Sequence, residues 1–271
     1  MNILAIGDVV GRSGRDVLLK HLSELKIKLS LDFIIVNGEN AAHGFGITPK
    51  ICKIFYEAGV NVITTGNHVW DQREIVEYID EDPSLIRPLN YPAGTPGSGF
   101  GVFETVDNRR ILVVQVMGRL FMDPLDDPFA VLERVLKSYK LGTSVDAIVI
   151  DVHGEASSEK QAFGEIFDGQ ASAIFGTHTH VPTADHRILP GGTAFVTDLG
   201  MTGDYNSIIG MEKEVASSRF ITKIPSGRLT PATGIGTLCG AFIQIDDVSG
   251  LAKRIQAVRI DGQLNLAYPE P

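Results

Sequence analysis

Five short segments of this chain place carboxylate, amide or imidazole side chains beside glycine. They are Gly7-Asp8, Gly38-Glu39-Asn40, Gly66-Asn67-His68, His153-Gly154-Glu155 and Gly176-Thr177-His178-Thr179-His180. Such a mixture of oxygen and nitrogen ligands suits Mn, Fe or Zn better than Ca or Mg. Two such ions ~3.5–4 Å apart would lower the pKa of a bridging water toward ~7 and clamp a phosphoryl group. The segments therefore predict a dinuclear metal centre for phosphoryl chemistry, with Glu39 as the bridging carboxylate.

Each segment also has a structural explanation when it is taken alone. Asp8 could cap the helix expected after it, Asn67-His68 could form a turn, and His153 could be a polar strand end. His178 and His180 are two residues apart, and in an extended chain this spacing puts both imidazoles on one face. Because the five segments come in order, each after an apolar run, we favour a shared function in which each of these two histidines serves one metal.

The elements that must position these side chains alternate between strands and helices. Apolar runs predict strands at 2–7, 32–37, 61–65, 110–117, 146–151 and 172–176, and helical patterns lie at 16–29, 48–58, 128–139 and 157–167. Strand pairs are expected at 186–189 with 193–197 and at 240–245 with 257–260. The carboxyl ends of strands form the ligand crevice in α/β sheets. We expect one domain over residues 1–271, built as a two-sheet sandwich sealed by helices.

The composition narrows the class of protein. The chain has 271 residues and 24 Lys+Arg against 33 Asp+Glu, a net charge of −9, so strong nonspecific binding to nucleic acid is not expected. Cys52 and Cys239 form no CxxC pattern, which favours a reducing compartment. No apolar stretch approaches the ~20 residues that span a bilayer, and the first residues lack a basic signal-peptide region. We therefore expect a cytoplasmic protein with no membrane partner.

The order of the five segments resembles the calcineurin-like metallophosphoesterases, whose motifs run GDxHG, GDxxD, GNHE, a histidine and GHxH. Two positions depart from that pattern: Val10 stands where the first motif has histidine, and Glu39 replaces the bridging aspartate. With Asn37-Gly38-Glu39-Asn40-Ala41-Ala42-His43-Gly44 and Gly66-Asn67-His68-Val69-Trp70-Asp71, these departures resemble the YmdB-like branch over essentially the whole length.

That resemblance implies a four-layer α/β/β/α sandwich of two mixed sheets. It also implies a bacterial, cytoplasmic, homo-oligomeric enzyme that hydrolyses 2′,3′-cyclic nucleotides to 3′-nucleotides by metal-hydroxide attack on phosphorus. Each chain would hold two divalent or trivalent metal ions, with Fe or Mn favoured over Zn. By resemblance, one metal would take Asp8, Glu39, Asn40 and His180, and the other would take Glu39, Asn67, His153 and His178. Asn40 would fill part of the role that Val10 leaves.

Two further histidines are candidates for contact with substrate. His68 is expected to be the general acid that protonates the departing 2′-oxygen, and its alternative role is phosphate binding without proton transfer. His43 lies next to the second segment in sequence, so it is a candidate substrate-binding residue or a loop histidine without a role. Asp71 is interpreted as a charge in the first turn of a helix.

Two other functions stay open on the sequence. A phosphomonoesterase or phosphoprotein phosphatase would use the same metal centre. A metal-binding regulatory protein would act mainly by binding a partner or RNA. The complete ligand set argues against the second of these, and the size of the substrate pocket would separate the first from a phosphodiesterase.

Overall fold

The computed structural model describes residues 1–224 and 226–271. The elements in chain order are β1 (Asn2–Ile6), α1 (Gly11–Lys28), β2 (Phe33–Asn37), α2 (Pro49–Glu57), β3 (Val62–Thr64), α3 (Ile75–Tyr78), β4 (Leu85–Ile86), β5 (Phe100–Glu104), β6 (Arg110–Met117), α4 (Pro128–Ser138), β7 (Ala147–His153), α5 (Ser157–Ile166), β8 (Ala173–Thr177), β9 (Arg187–Ile188), β10 (Ala194–Val196), α6 (Lys213–Ile221), β11 (Leu238–Ile245) and β12 (Ala252–Ile260).

The strands form two mixed sheets of six. The first has the order β12-β11-β1-β2-β3-β4, and the second has the order β5-β6-β7-β8-β10-β9. Parallel pairs run from β1 to β4 and from β6 through β7 and β8 to β10, while β11, β12, β5 and β9 join antiparallel. The parallel strands thus direct their carboxyl ends to one edge of each sheet.

Three apolar cores separate four layers. Along β1, Ile3 packs in the core between the sheets, whereas Leu4 packs in the core under α1 and α2. A third core joins the outer face of the second sheet to α4 and α5, and Phe163 lies fully buried in it. Strands buried on both faces read as continuous apolar runs, which is why the sequence revealed them. The predicted α/β/β/α sandwich is confirmed.

Local sequence explains where several helices begin. The Thr48 hydroxyl accepts a hydrogen bond from the Ile51 amide, and Pro49 occupies the first turn of α2. Asp127 caps α4 in the same way, with Pro128 following it. Among the described residues, no helix combines the length and the apolar character that a membrane crossing requires.

Three elements were not predicted from the sequence: β4, β5 and α6. β4 has only two residues, and α3, for which a start near Asp71 was expected, begins at Ile75 and has four residues. β5 is a sheet-edge strand without a buried residue, and α6 buries only Ala216. Helix α1 also begins at Gly11, five residues before the predicted start at residue 16.

Candidate metal centre

The five segments meet at the edge where the parallel strands end. Asp8, Glu39 and Asn67 follow β1, β2 and β3 of the first sheet. His153 is the last residue of β7, and His178 directly follows β8 in the second sheet. The site therefore lies across the same end of both sheets, as the topology of parallel strands predicts.

Glu39, His153 and His178 form the tightest group. One ligand atom from each lies within 4.8 Å of the others, and Glu39 and His153 are fully buried. His153 Nε2 is 2.8 Å from Glu39 Oε2, 3.0 Å from Asn67 Oδ1 and 3.2 Å from His178 Nδ1. A Cβ at Gly66 would stand 2.3 Å from His153 Nε2, so only glycine leaves room for this group.

A hydrogen-bond relay fixes which nitrogen of His153 faces the group. The Thr177 hydroxyl donates to Asp151 Oδ1 over 2.7 Å, which leaves its oxygen to accept from His153 Nδ1 at 2.9 Å. With this proton fixed on Nδ1, Nε2 is the nitrogen that faces Glu39, and it presents a lone pair there when the ring is neutral. Asp151 is itself buried, and Gln115 donates to it over 3.0 Å.

The remaining predicted ligands form a looser second group. His180 donates from Nδ1 to the Ile209 carbonyl over 2.8 Å, which frees Nε2. That Nε2 lies 3.1 Å from Asn40 Nδ2 and 3.9 Å from Asp8 Oδ1. Asp8 does not cap α1, because the cap position is occupied by Val10, which makes no side-chain hydrogen bond there. Asp8 Oδ2 instead accepts a hydrogen bond from the His178 backbone amide over 3.1 Å. Asn40 would have to turn its amide over to present Oδ1 to a metal held by His180 and Asp8.

The protonation equilibria reflect a dense, buried set of charges. Burial raises the pKa of Asp8 to about 6, although His180 partly opposes the shift. Burial also raises the pKa of Glu39, but the neighbouring His153 outweighs it and brings the value to about 2. Burial, aided by the charge of His153, lowers the pKa of His178 to about 3. His178 is therefore a neutral imidazole at physiological pH, which is the form that binds metals.

The residues present fit a cation. Glu39 Oε2 is buried and accepts no hydrogen bond from the described residues, although His153 Nε2 is only 2.8 Å away. A buried carboxylate oxygen left without a donor is costly. A metal would replace the second proton of the charged His153 ring, so that His153 Nε2 and Asn67 Oδ1 both present lone pairs to the same space. A divalent ion bound between Glu39, His153 and Asn67 would balance the carboxylate charge and accept the lone pairs of the other two groups.

The segment that holds both late histidines is a turn and not an extended chain. The backbone φ is +96° at His178 and +65° at His180. The expectation that an extended chain would put both imidazoles on one face is therefore wrong. With these left-handed conformations, His178 lies in the group around His153 and His180 lies in the group around Asn40. The division between two metal positions thus arises from a bent segment and not from an extended one.

A buried ion pair that the sequence analysis missed supports this turn. Lys160 Nζ donates to the Thr177 carbonyl over 2.7 Å and lies 2.6 Å from Asp198 Oδ2. Asp198 Oδ2 in turn accepts from the Thr179 hydroxyl at 2.7 Å. The sequence did hold one sign that Lys160 is buried. It lies in α5 three residues before the buried Phe163, and this spacing puts both residues on the apolar face of the helix.

His68 is positioned beside the metal ligands without joining them. Its backbone amide donates to Glu39 Oε1 over 2.8 Å, and its Nδ1 lies 2.8 Å from Asp71 Oδ2. The expectation that Asp71 charges the first turn of a helix is wrong, since α3 begins only at Ile75. Phe45 was also missed in the sequence analysis, and its ring centroid lies 5.0 Å from that of His68.

A cavity of about 240 Å³ joins His68 to both groups of ligands. Its walls include Glu39, Asn40, His68, Glu155, His178 and His180. His43 is exposed and lies outside this cavity, in a neighbouring one that also contains Phe45. The structure therefore brings every predicted metal ligand and His68 into one region, with His43 next to it.

Comparisons with known proteins agree with this architecture. The family described as "YmdB-like protein" matches residues 4–258. A Bacillus subtilis (strain 168) protein named 2′,3′-cyclic-nucleotide 2′-phosphodiesterase is 48% identical over 96% of this chain and 97% of its own length. A crystal structure of a hypothetical protein from Thermus thermophilus superposes with a TM-score of 0.90, at 42% identity, covering 97% of this chain and 100% of that one. A novel phosphatase from Mycoplasma pneumoniae gives a TM-score of 0.89 at 34% identity, covering 100% of this chain and 95% of its own. The family expected from the motifs is confirmed, and the chain belongs to the YmdB-like protein family.

Proposed function

We propose that this protein is a metal-dependent phosphodiesterase that hydrolyses 2′,3′-cyclic nucleotides to 3′-nucleotides. The single observation that carries the proposal is the buried Glu39 carboxylate, which faces His153 and His178 in a cavity that His68 also lines. The activity named for the 48% identical relative supports the same substrate class.

The ligands would divide between two positions. Asp8, Glu39, Asn40 and His180 would hold one ion, and Glu39, Asn67, His153 and His178 would hold the other. Fe or Mn suits this donor set, and Zn is the weaker candidate. When bound, the two ions supply Lewis acidity at the phosphoryl oxygens and a water of lowered pKa.

The protein's own residues would orient the leaving group and supply its proton. Because His68 Nδ1 is paired with Asp71, Nε2 is the nitrogen that is left to exchange a proton with substrate. In the proposed step a water oxygen forms a bond to phosphorus and the bond from phosphorus to the 2′-oxygen breaks. His68 Nε2 gives its proton to that oxygen, the attacking water releases one proton to solvent, and Asp71 holds the imidazole in place through Nδ1.

The proposal extends to the cell compartment and the assembly. Cys52 and Cys239 are both buried and form no disulfide within the described chain, which supports a reducing, cytoplasmic environment. The half-buried edge strand β5 offers a surface for self-association, so we propose a homo-oligomer. Light scattering of the purified protein would give the number of subunits directly.

Substitution of His68 tests the proposed division of labour. The His68→Ala variant should keep its metal content but lose about 10²–10⁴-fold in turnover of 2′,3′-cyclic AMP, the usual contribution of a general acid. The control is His186→Ala, because His186 is exposed and outside the cavity. A His68 variant with native turnover would contradict the role of this residue. Hydrolysis of p-nitrophenyl phosphate without any turnover of the cyclic nucleotide would favour a phosphomonoesterase instead.

A further inference from the structure

Two more cavities adjoin the cavity of the candidate metal centre. One has a volume of about 470 Å³ and the other of about 540 Å³. Phe45 and Leu229 line all three, and Gln72 and Arg228 line both of the outer ones. We call the two outer cavities together the outer groove. It offers more space than a mononucleotide at the metal centre would use.

The electrostatic character of the outer groove differs from that of the metal centre. No lysine or arginine lines the inner cavity, whereas Arg219 and Arg228 line the outer groove, together with the carboxylates of Asp71 and Glu212. Both arginines are exposed, and within residues 1–224 and 226–271 neither has a carboxylate oxygen within 4.0 Å. The hydrogen bond that Arg219 makes is a 3.4 Å contact to the Gly227 carbonyl. These guanidinium groups are thus available to an anion in a protein whose net charge is −9.

A cyclic mononucleotide has one phosphate, and that phosphate would be used at the metal centre. The arginines would have no partner in such a complex. An additional nucleotide on the 5′ side brings a second, singly charged phosphate one ribose away from the first. Arginine recognises phosphate through two parallel hydrogen bonds, which a lone amide such as that of Gln72 cannot match.

The groove also contains an apolar surface suited to a base. Phe45 is half-buried and lines the inner cavity as well as both outer cavities, with its ring beside His68. Bases stack on such rings without regard to sequence. A base on Phe45 would place its flanking phosphates towards the metal centre on one side and the arginines on the other.

We propose that the preferred substrate is the 3′ end of a short single-stranded RNA that terminates in a 2′,3′-cyclic phosphate. Arg219 and Arg228 bind the phosphodiester on the 5′ side of the terminal nucleotide. The inference rests on the proposed phosphodiesterase activity. The reaction is unchanged: water adds to the terminal phosphorus, the bond to the 2′-oxygen breaks, and that oxygen takes up a proton. Because only two cations contact the chain, long nucleic acid is still bound weakly.

The test compares two substrates on the full-length, Mn²⁺-loaded protein. One is 2′,3′-cyclic AMP, and the other is the dinucleotide ApA with a terminal 2′,3′-cyclic phosphate. The native protein should prefer the dinucleotide in kcat/KM by about 10-fold, and this preference should shrink as salt rises. In Arg219→Gln/Arg228→Gln the ratio should fall to about 1, while Arg219→Lys/Arg228→Lys should keep part of it.

Arg134→Gln is the matched control, because Arg134 is an exposed arginine on α4 and lines none of the three cavities. Its ratio should equal that of the native protein. Equal turnover of both substrates by the native protein, or a preference that survives loss of both arginines, would overturn the inference and leave the proposed activity intact. Absence of turnover on both substrates would instead reject the proposed function itself.

Discussion

Among single residues, Glu39 and Asp8 show how the site depends on charge held away from water. Both carboxylates are fully buried, yet their pKa values shift in opposite directions, because His153 lies 2.8 Å from Glu39 whereas His180 is 3.9 Å from Asp8. Glu39 keeps its charge through that close partner, whereas burial dominates at Asp8. The sequence alone identified both carboxylates as candidate metal ligands. It did not reveal the role of Thr177, because that role depends on β7 and β8 lying side by side.

Asp8 should make the metal-free protein less stable as pH rises. Its pKa is raised from 3.8 to about 6 in the folded protein, so the folded state binds the proton more tightly than the unfolded state. The resulting stability is complete below about pH 4 and is lost as pH rises through 6, with a total of about 3 kcal/mol.

The Asp8→Asn variant should therefore unfold at higher urea concentration than the native protein at pH 8, and the difference should fall to about half at pH 5 and nearly vanish below about pH 4. Both proteins are stripped of metal with a chelator before urea unfolding at each pH. The same variant should bind Mn²⁺ more weakly, since it lacks a ligand charge. If Asp8→Asn has no stability advantage at pH 8, burial does not govern this carboxyl group.

At the scale of elements, parallel strands place the ligands and one turn divides them. The strands with long apolar runs were predicted closely, and β6 matches its predicted bounds of 110–117. The turn after β8 was not predicted, because left-handed φ at His178 and His180 follows from tertiary contacts and not from their residue types. The Lys160–Asp198 pair supplies those contacts from α5 and from the segment after β10.

Removal of Lys160 should cost both stability and metal affinity. Lys160→Met leaves Asp198 buried without its cation, which costs about 3–5 kcal/mol in free energy of unfolding. Adding Asp198→Asn should recover part of that stability by removing the buried charge. Metal affinity should stay low in the double variant, because the Thr177 carbonyl still lacks the Lys160 donor.

The measurements are urea unfolding of metal-free protein and Mn²⁺ binding by calorimetry. Lys137→Met serves as the control, since Lys137 is exposed and pairs with Glu133 one turn away. Native Mn²⁺ affinity in the destabilised single variant would show that the ion pair supports the fold but not the turn.

For the whole molecule, we propose a single cooperative domain over residues 1–271. β1 pairs with β11 in one register from Asn2 to Ile6, so the first strand of the chain lies against one of its last. The core between the sheets contains residues from both, including Ile3 and Val113. The sequence indicated two sheets but not their strand order, because long-range pairing leaves no trace in local periodicity.

Metal-free protein should consequently unfold in one transition. Near-ultraviolet and far-ultraviolet circular dichroism should report the same urea midpoint, because neither sheet can lose its inner face alone. Two separated midpoints would contradict the one-domain proposal.

The most direct test of the account is a metal titration of activity. Metal-free protein receives increasing Mn²⁺, and formation of 3′-AMP from 2′,3′-cyclic AMP is measured together with bound metal. We predict that turnover rises to a plateau at about two ions per chain, and that Glu39→Gln binds fewer ions and loses at least about 100-fold in kcat/KM. Native protein that carries two ions but does not hydrolyse the substrate, or that hydrolyses it equally well without metal, would contradict the account.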